Sequence, residues 1–297
     1  MSIVSAHSHW EGAHRELGEG EFPFTNEDFG RIAVLLRQES GIHLRESKTA
    51  LVYSRLTKRL RALRIDSFHE YCNLLVGSSD ERVNMLAALT TNVTRFFREP
   101  HHFEHLKTDV LPALLEAARQ GGAVRLWSAG CSSGQEPYSI ALTILSLMPE
   151  AASHDIRILA TDIDPLMVAK GRRGVYGPTE FRDVPVETRR RWFEAVPGEG
   201  RGYLRANGGL RSLVAFRELN LNGNWPMRGM FHAIFCRNVV IYFDEHTQSQ
   251  LWSRILPRLS PGGCLYIGHS ERVSGPALDA FDNIDITTYR LRGRTRP

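Results

Sequence analysis

The chain has 297 residues, 42% of them hydrophobic and 24% charged, a balance that supports a full globular core without covalent staples. Its net charge of +4 does not by itself imply a nucleic-acid partner, and its cysteines (Cys72, Cys131, Cys236, Cys264) show no Cys-x-x-Cys pair, which argues against a zinc knuckle or a redox motif. No apolar run approaches the roughly 18 residues of a membrane span, and the N-terminus lacks the apolar core of a signal peptide, so direct membrane insertion is not expected and the cytoplasm is the expected location.

Residues 1–22 are polar and rich in Gly, Glu and His, the composition of a disordered tail. His7, His9 and His14 are irregularly spaced and read as solvated rather than metal-binding. Residues 23–92 carry a helical pattern. Thr25 with Asp28 predicts an acidic capping box, followed by Phe29, Ile32, Ala33, Leu35 and Leu36 at helical spacing and a stop at Ser40-Gly41. Further helices are expected from about Ser47 to Leu63, from Ser67 to Val76, and from Asp80 onward. Residues 93–122 form a linker, with a helix over His102–Arg119 bracketed by Pro100 and Pro112.

From residue 123 onward, strands and helices alternate. Strands are expected at Ala123–Ala129, Ile156–Thr161, Phe231–Cys236 and Cys264–Ile267. Helices are expected at Pro137–Leu147, from Pro165, and at Glu245–Leu259. Such βαβ units predict a doubly wound, Rossmann-like parallel sheet covered on both faces. The rhythm breaks over about 175–218, where several glycines flank Tyr203-Leu204-Arg205 and Leu213-Val214-Ala215-Phe216. A short helix, Val186–Phe193, and a small antiparallel β insertion are expected there.

Ligands of open α/β sheets sit beyond the carboxyl ends of the strands. Three loops qualify. The first, Gly130 to Pro137, has glycines that allow close backbone approach to a ligand, or that serve only a strand–helix turn. Its Glu136 either meets a cationic ligand group or complements the helix dipole. The second loop holds Asp162, where ribose is read in dinucleotide folds, and Asp164, the better helix cap before Pro165. In the third, Arg237 and Asn238 follow an apolar strand, either as site groups or as an internally paired arginine.

Five motifs then occur in order. They are Asn92-x-Thr94-x-Phe96-Phe97-Arg98-Glu99, Gly134-Gln135-Glu136-Pro137-Tyr138-Ser139, Thr161-Asp162-Ile163-Asp164, Phe235-Cys236-Arg237-Asn238-x-x-Ile241-Tyr242-Phe243, and Pro261-Gly262-Gly263 through Gly268-His269-Ser270-Glu271. Together, over roughly residues 24–290, they resemble the CheR chemotaxis receptor methyltransferases. The resemblance implies an all-α N-terminal domain followed by an S-adenosylmethionine methyltransferase domain with a β subdomain. It implies S-adenosylmethionine as cofactor, S-adenosylhomocysteine as product, and chemoreceptor glutamates as methyl acceptors. By the same resemblance Asn92, Thr94, Arg98, Glu136, Asp162, Asn220, Leu221, Arg237 and Asn238 contact the cofactor. Relatives that tether to a receptor's C-terminal peptide resemble Arg-Gly-x-Gly after the preceding aromatic pair. Here Trp192-Phe193 is followed by Glu194-Ala195-Val196-Pro197-Gly198-Glu199-Gly200, without the arginine.

Methylation of a carboxylate needs no general base, which fits the lack of an obvious activated Ser, Cys or Lys. Arg98 is assigned to orient the acceptor or to hold the cofactor, and Tyr242 to line the methyl path. Lys48, Arg55, Lys58, Arg59 and Arg61 lie on one predicted helix whose apolar face is Val52, Leu56, Leu60 and Leu63. That basic cluster is expected to be left to solvent and to dock an acidic receptor helix. A nucleic-acid methyltransferase is disfavoured, since Cys236-Arg237-Asn238-Val239 stands where amino-group methyltransferases carry Asn/Asp-Pro-Pro-aromatic. A silent cofactor-sensing or receptor-scaffold module is the other alternative. No metal site is expected.

Overall fold

The computed structural model describes residues 20–293, which form two compact units dividing between Thr90 and Thr91. The expected tail falls mostly on residues 1–19, outside the described ones, as do His7, His9 and His14. Its last residues belong to the helical unit instead. Glu21 pairs with Arg61, and Phe22 is buried with its N–H donating to the Tyr53 hydroxyl. Phe22 and Phe24 add aromatic surface to the helical core.

In the first unit α1 (Asn26–Ser40) starts with the Thr25/Asp28 capping box and ends at Gly41, whose φ of 75° and N–H to the Arg37 carbonyl close the last turn. A 3-10 turn, Glu46–Lys48, leads into α2 (Thr49–Leu63). Ser78 serves two helices at once. Its N–H ends α3 (Phe68–Gly77) on the Leu74 carbonyl, and its hydroxyl starts α4 (Ser79–Leu89) by accepting from Glu81 N.

The expected basic face of α2 needs correction. Val52, Leu56 and Leu60 are fully buried, as their spacing predicts. Arg59, however, grips the Glu81 carboxylate with two nitrogens, Nε at 2.9 Å and Nη2 at 2.6 Å, and Glu81 also accepts the Tyr71 hydroxyl. Arg55 donates to the carbonyls of Leu89 and Thr90, past the end of α4, where helix carbonyls lack partners. Arg61 is exposed but paired with Glu21. Lys48 and Lys58 are the members of the cluster left open to solvent. Sequence showed the charges on α2 but not the partners that α4 brings to them.

The second unit opens with α5 (Pro100–His105), which runs through a π turn, Leu106–Val110, into α6 (Leu111–Arg119). Leu111 N–H reaches back to the Leu106 carbonyl, one residue further than in an α-helix. Pro112 has no N–H and crowds the carbonyl of the turn before it, and the inserted residue relieves that crowding without breaking the helix. β1 (Val124–Ala129), β2 (Ile156–Asp162), β6 (Val214–Glu218), β7 (Phe231–Cys236) and β8 (Leu259–Ile267) run parallel in the order β6-β2-β1-β7-β8. β10 (Thr288–Leu291) and β9 (Phe281–Asp285) extend the sheet antiparallel, so it is mixed rather than all-parallel. β9 carries Asp282, Asn283 and Asp285 on an exposed edge, which hides it from an apolar-run reading.

The β insertion is smaller than expected. It comprises β3 (Val175–Tyr176), β5 (Leu204–Ala206) and β4 (Phe193–Ala195), antiparallel in that order. The stretch assigned to its far end, Val214–Glu218, is instead an edge strand of the main sheet, parallel to β2. Its alternation fits either sheet, and only the register with β2 distinguishes them.

Candidate active site

From β1 the sheet grows outward through β2 and β6 to one edge and then resumes on the other side at β7. That reversal places a crevice between the carboxyl ends of β1 and β7, where an open α/β sheet receives ligands. Each element bordering the crevice contributes a group.

After β1, the turn from Gly130 to Gly134 enters α7 (Gln135–Leu147). Gly134 has a φ of +97°, and a Cβ there would lie 2.9 Å from Gly171 Cα, so only glycine lets the turn pack this closely on the next helix. Glu136 in the first turn of α7 accepts from Ser128 Oγ at 2.7 Å, and burial pushes its carboxyl above the ordinary range while Arg237 and Ser128 pull it back. After β2, Asp162 is nearly buried. Its two oxygens accept from Ser132 N at 2.7 Å and Asp164 N at 3.0 Å, so it bridges the first two loops. Burial raises its pKa against these N–H donors. Asp164 caps α8 (Pro165–Arg173) by accepting from Leu166 N and Met167 N.

After β7, Arg237 is fully enclosed. Its Nη2 donates to the Arg98 carbonyl at 2.5 Å, its guanidinium lies 3.6 Å from both Glu99 Oε2 and Glu136 Oε2, and it sits 5.6 Å over the Phe103 ring. Its Nε and Nη1 have no hydrogen-bond partner, nor does Glu99 Oε2. Buried charged atoms without a hydrogen-bond partner are rare, and these lie together just past the end of β7. Asn238 adopts a left-handed φ of 58°, and its N–H donates to Glu271 Oε2. Glu271 also accepts from Val240 N and Gly268 N, each within 2.8 Å, tying the loop after β8 to the loop after β7.

The linker ahead of α5 completes the rim. Asn92 donates to Asp164 Oδ2 and accepts from Ser132 Oγ. Thr94 is half-buried between them and the turn that follows. Phe97 and Glu99 hold φ of 51° and 58°, conformations that non-glycine residues adopt at a cost, and flank Arg98. Arg98 is half-buried and its Nη1 donates to the Val93 carbonyl. On the far side, Leu221 is buried beyond β6, its carbonyl accepting from Trp225 Nε1 and Arg254 Nη1, while Asn220 Oδ1 accepts from Asn222 N. Tyr242 is half-buried in the 3-10 turn Val240–Tyr242.

Sequence reasoning left Glu99, Ser132, Glu271 and His102 without roles. Glu99 and Glu271 stood inside quoted motifs, a signal left unused. His102 carried none, since its burial depends on α5 packing against the sheet. Its Nε2 meets Thr287 Oγ1 at 2.9 Å, and burial holds its pKa down at about 2. Among the described residues Glu99, His101 and His102 are the one group with metal-ligand types within 4.8 Å of one another. Arg237 beside Glu99 opposes a second cation there, so the cluster belongs to the surroundings of that guanidinium.

The crevice suits a ligand with an α-amino acid end and a ribose. Arg237 offers unpaired N–H groups, Glu136 a carboxylate, and Asp162 a strand-end carboxylate. The description "CheR methyltransferase, SAM binding domain" matches residues 92–290, and "CheR methyltransferase, all-alpha domain" matches residues 27–90. The chain is 54% identical over 258 residues to a probable chemotaxis protein methyltransferase of Rhizobium etli, covering 86% of this chain and 96% of that one. It is 43% identical over 257 residues to chemotaxis protein methyltransferase 2 of Pseudomonas aeruginosa, covering 86% and 89%. It is 40% identical over 271 residues to the chemotaxis protein methyltransferase of Escherichia coli, covering 90% and 88%. A crevice of this chemistry at the sheet's reversal point, with both family descriptions matching in order, places the chain in the CheR methyltransferase family, as an S-adenosylmethionine-dependent methyltransferase of chemotaxis.

Proposed function

We propose that the chain methylates glutamate side chains on the cytoplasmic helical domain of chemoreceptors, forming glutamate methyl esters. The observation that carries this reading is the Arg98 turn, clasped by Arg237 through its own carbonyl at the mouth of the cofactor crevice. S-adenosylmethionine supplies a methyl group on a positively charged sulfur. A glutamate carboxylate, with an ordinary pKa near ~4.3, is already ionised at neutral pH, so the protein need only align it and exclude water.

In this reading Glu136 and Arg237 take the amino and carboxylate groups of the cofactor, and Asp162 the ribose. Asn220 and Leu221 frame the base, and Asn92, Thr94 and Asn238 shape the crevice walls. Arg98 leaves the Val93 carbonyl to steer the acceptor carboxylate, and Tyr242 borders the methyl path. On the helical domain, Lys48 and Lys58 supply the open positive charge for a receptor helix rich in glutamate. Arg61 adds to it where it is released from Glu21. No helix among the described residues is long and apolar enough to cross a membrane, which suits action on a receptor's cytoplasmic part. The stretch Glu194 to Gly200 lacks the arginine that peptide-tethering relatives carry after the aromatic pair, with Arg201-Gly202 following only later in the β4–β5 connection, and docking is assigned to the helical domain in this proposal.

The test is transfer of labelled methyl from S-adenosylmethionine to a purified receptor cytoplasmic domain. Base-labile label on glutamate is expected. Base-stable label would assign another acceptor atom, and absence of transfer with intact cofactor binding would favour a sensing or scaffolding module.

A further inference from the structure

Between β6 and β7 the chain runs from Leu219 to Met230 with no helix or strand. This connection holds Asn220 and Leu221, the residues set against the base of the cofactor. A segment of this length without helical or ladder hydrogen bonds depends for its shape on side chains that reach it from elsewhere. Its first residues are held close by. Leu219 N–H donates to the Asp162 carbonyl at 2.9 Å. Asn220 then closes a short turn, accepting from Asn222 N at its side chain and from Gly223 N at its carbonyl.

The rest of the hold comes from a remote arginine. Arg254, in the last turn of the helix Glu245–Ile255, donates through Nη1 to the Leu221 carbonyl at 2.7 Å and through Nη2 to the Gly223 carbonyl. Its guanidinium also lies over the Trp225 ring, 4.3 Å from the centroid. Trp225 Nε1 donates to the same Leu221 carbonyl at 3.2 Å. Both lone pairs of that oxygen are thereby engaged, which fixes the peptide plane after Leu221. Trp225 stands edge-on to Trp127, with ring centroids 5.0 Å apart. Trp127 is fully buried on β1 and donates Nε1 to Thr161 Oγ1 on β2. One guanidinium thus grips the connection at three points, and the indole beneath it rests on the two strands that lead to the Gly130 turn and to Asp162.

We propose that Arg254 is the positioning residue for the base end of the cofactor. By gripping Leu221, Gly223 and Trp225 it holds the β6–β7 connection in its receiving shape before the cofactor arrives. Without the guanidinium, the connection has to be ordered at the moment of binding, and that ordering cost is subtracted from the affinity. The adenosyl group is common to S-adenosylmethionine and S-adenosylhomocysteine, so both ligands weaken by the same factor. Once the cofactor is seated the ordering is complete, and methyl transfer from the full complex keeps its rate. The planar fork is what the arrangement uses, rather than charge alone. A lysine ammonium is a compact point charge and cannot span both carbonyls while covering the indole. The inference rests on the reading that places the base against Asn220 and Leu221.

Calorimetric titration of the full chain with S-adenosylmethionine and, separately, with S-adenosylhomocysteine tests it, alongside steady-state methyl transfer. Arg254→Ala is expected to weaken both ligands by the same factor, roughly tenfold, and to raise the KM for S-adenosylmethionine in step while kcat stays within about twofold. Arg254→Lys should behave like Arg254→Ala. Arg258 donates to the Arg228 carbonyl at the far end of the same connection, and Arg258→Ala should leave both affinities within about twofold of wild type. Unfolded protein lowers the stoichiometry of binding and leaves the affinity of the folded fraction unmoved. Wild-type affinity in Arg254→Ala, full recovery in Arg254→Lys, or an equal loss in Arg258→Ala overturns the proposal. Leu221→Ala separates the two levels of inference. If it leaves both affinities unchanged, the placement of the base is wrong and the proposal falls with it. If it weakens binding while Arg254→Ala does not, only the role of Arg254 fails.

Discussion

Asp162 shows how one carboxylate is shared between architecture and ligand. Its oxygens already hold Ser132 N–H and Asp164 N–H, so removing it strands two backbone donors in a nearly buried place. Asp162→Ala should therefore lower S-adenosylhomocysteine affinity by about one to two decades and also destabilise the catalytic unit by ~1–3 kcal/mol. Calorimetry and thermal unfolding would measure the two losses, and intact affinity in a destabilised protein would leave Asp162 as a loop brace alone. Arg98 carries a different expectation. Because its guanidinium donates to the Val93 carbonyl, within its own turn, Arg98→Ala should reduce turnover more than cofactor affinity. Equal loss of both in steady-state and binding measurements would make it a cofactor ligand. His102 links the same neighbourhood to pH. Burial lowers its pKa from 6.5 to about 2, so below about pH 6.5 the unfolded chain binds a proton that the folded chain refuses. That contribution to stability is present at neutral pH and is lost as pH falls through the window between those values, at up to ~1.4 kcal/mol per unit. His102→Gln, which retains a donor for Thr287, should flatten the decline in stability between pH 6 and pH 4.5 relative to wild type. Parallel wild-type and variant denaturation curves across that range would refute the assignment. Half-buried His105 and His232 shift the same way, and the carboxyls Glu136, Asp162 and Glu271 the opposite way, so the comparison must be made between the two proteins.

At the scale of elements, α2 and α4 are welded by charge as well as by apolar contact. Arg59 and Glu81 form a two-point pair with Glu81 buried, and Arg55 closes the end of α4. Glu81→Ala strands a partly enclosed arginine and the Tyr71 hydroxyl, and should destabilise the helical unit by roughly 3–5 kcal/mol, the scale of a broken buried pair. Urea denaturation followed by circular dichroism would read this, and a loss below about 1 kcal/mol would show the pair to be solvated. Much of this unit was legible in advance. The Thr25 box, the Gly41 stop and the Val52–Leu56–Leu60 stripe follow from side-chain chemistry that acts over four residues or fewer. The partners of Arg55 and Arg59 were not, because they come from about 22 to 35 residues further along the chain. The catalytic sheet repeats the lesson. β1, β2 and β7 announce themselves as apolar runs, whereas β6 and β9 are edge strands whose allegiance is set by register.

For the whole molecule, the positive charge of the expected cluster that remains open lies at Lys58 on α2 and at Lys48 in the turn just before it. Reversing both to Glu should raise the receptor KM several-fold without altering cofactor affinity, and the wild-type receptor KM should rise between low and moderate salt. Normal methylation of receptor by the double variant at low ionic strength would remove α2 from the docking surface. Reversal at Arg55 or Arg59 would not be informative, since each also holds α4 in place.

The sequence by itself determined the class of the protein: a helical unit, a βαβ sheet and five ordered motifs whose residues converge at the ends of β1, β2 and β7. Local hydrogen-bond chemistry and hydrophobic periodicity act within a few residues, so they survive being read from a string. Tertiary structure alone decided which charges are spent on the fold and which remain for ligands. Arg237 and Arg59 look alike in sequence, yet one keeps two buried nitrogens without a hydrogen bond and the other is consumed by Glu81. Burial, and the distance to a counter-charge remote in sequence, fix the fate of an ionised side chain, and both arise only when the sheet and helices close around it.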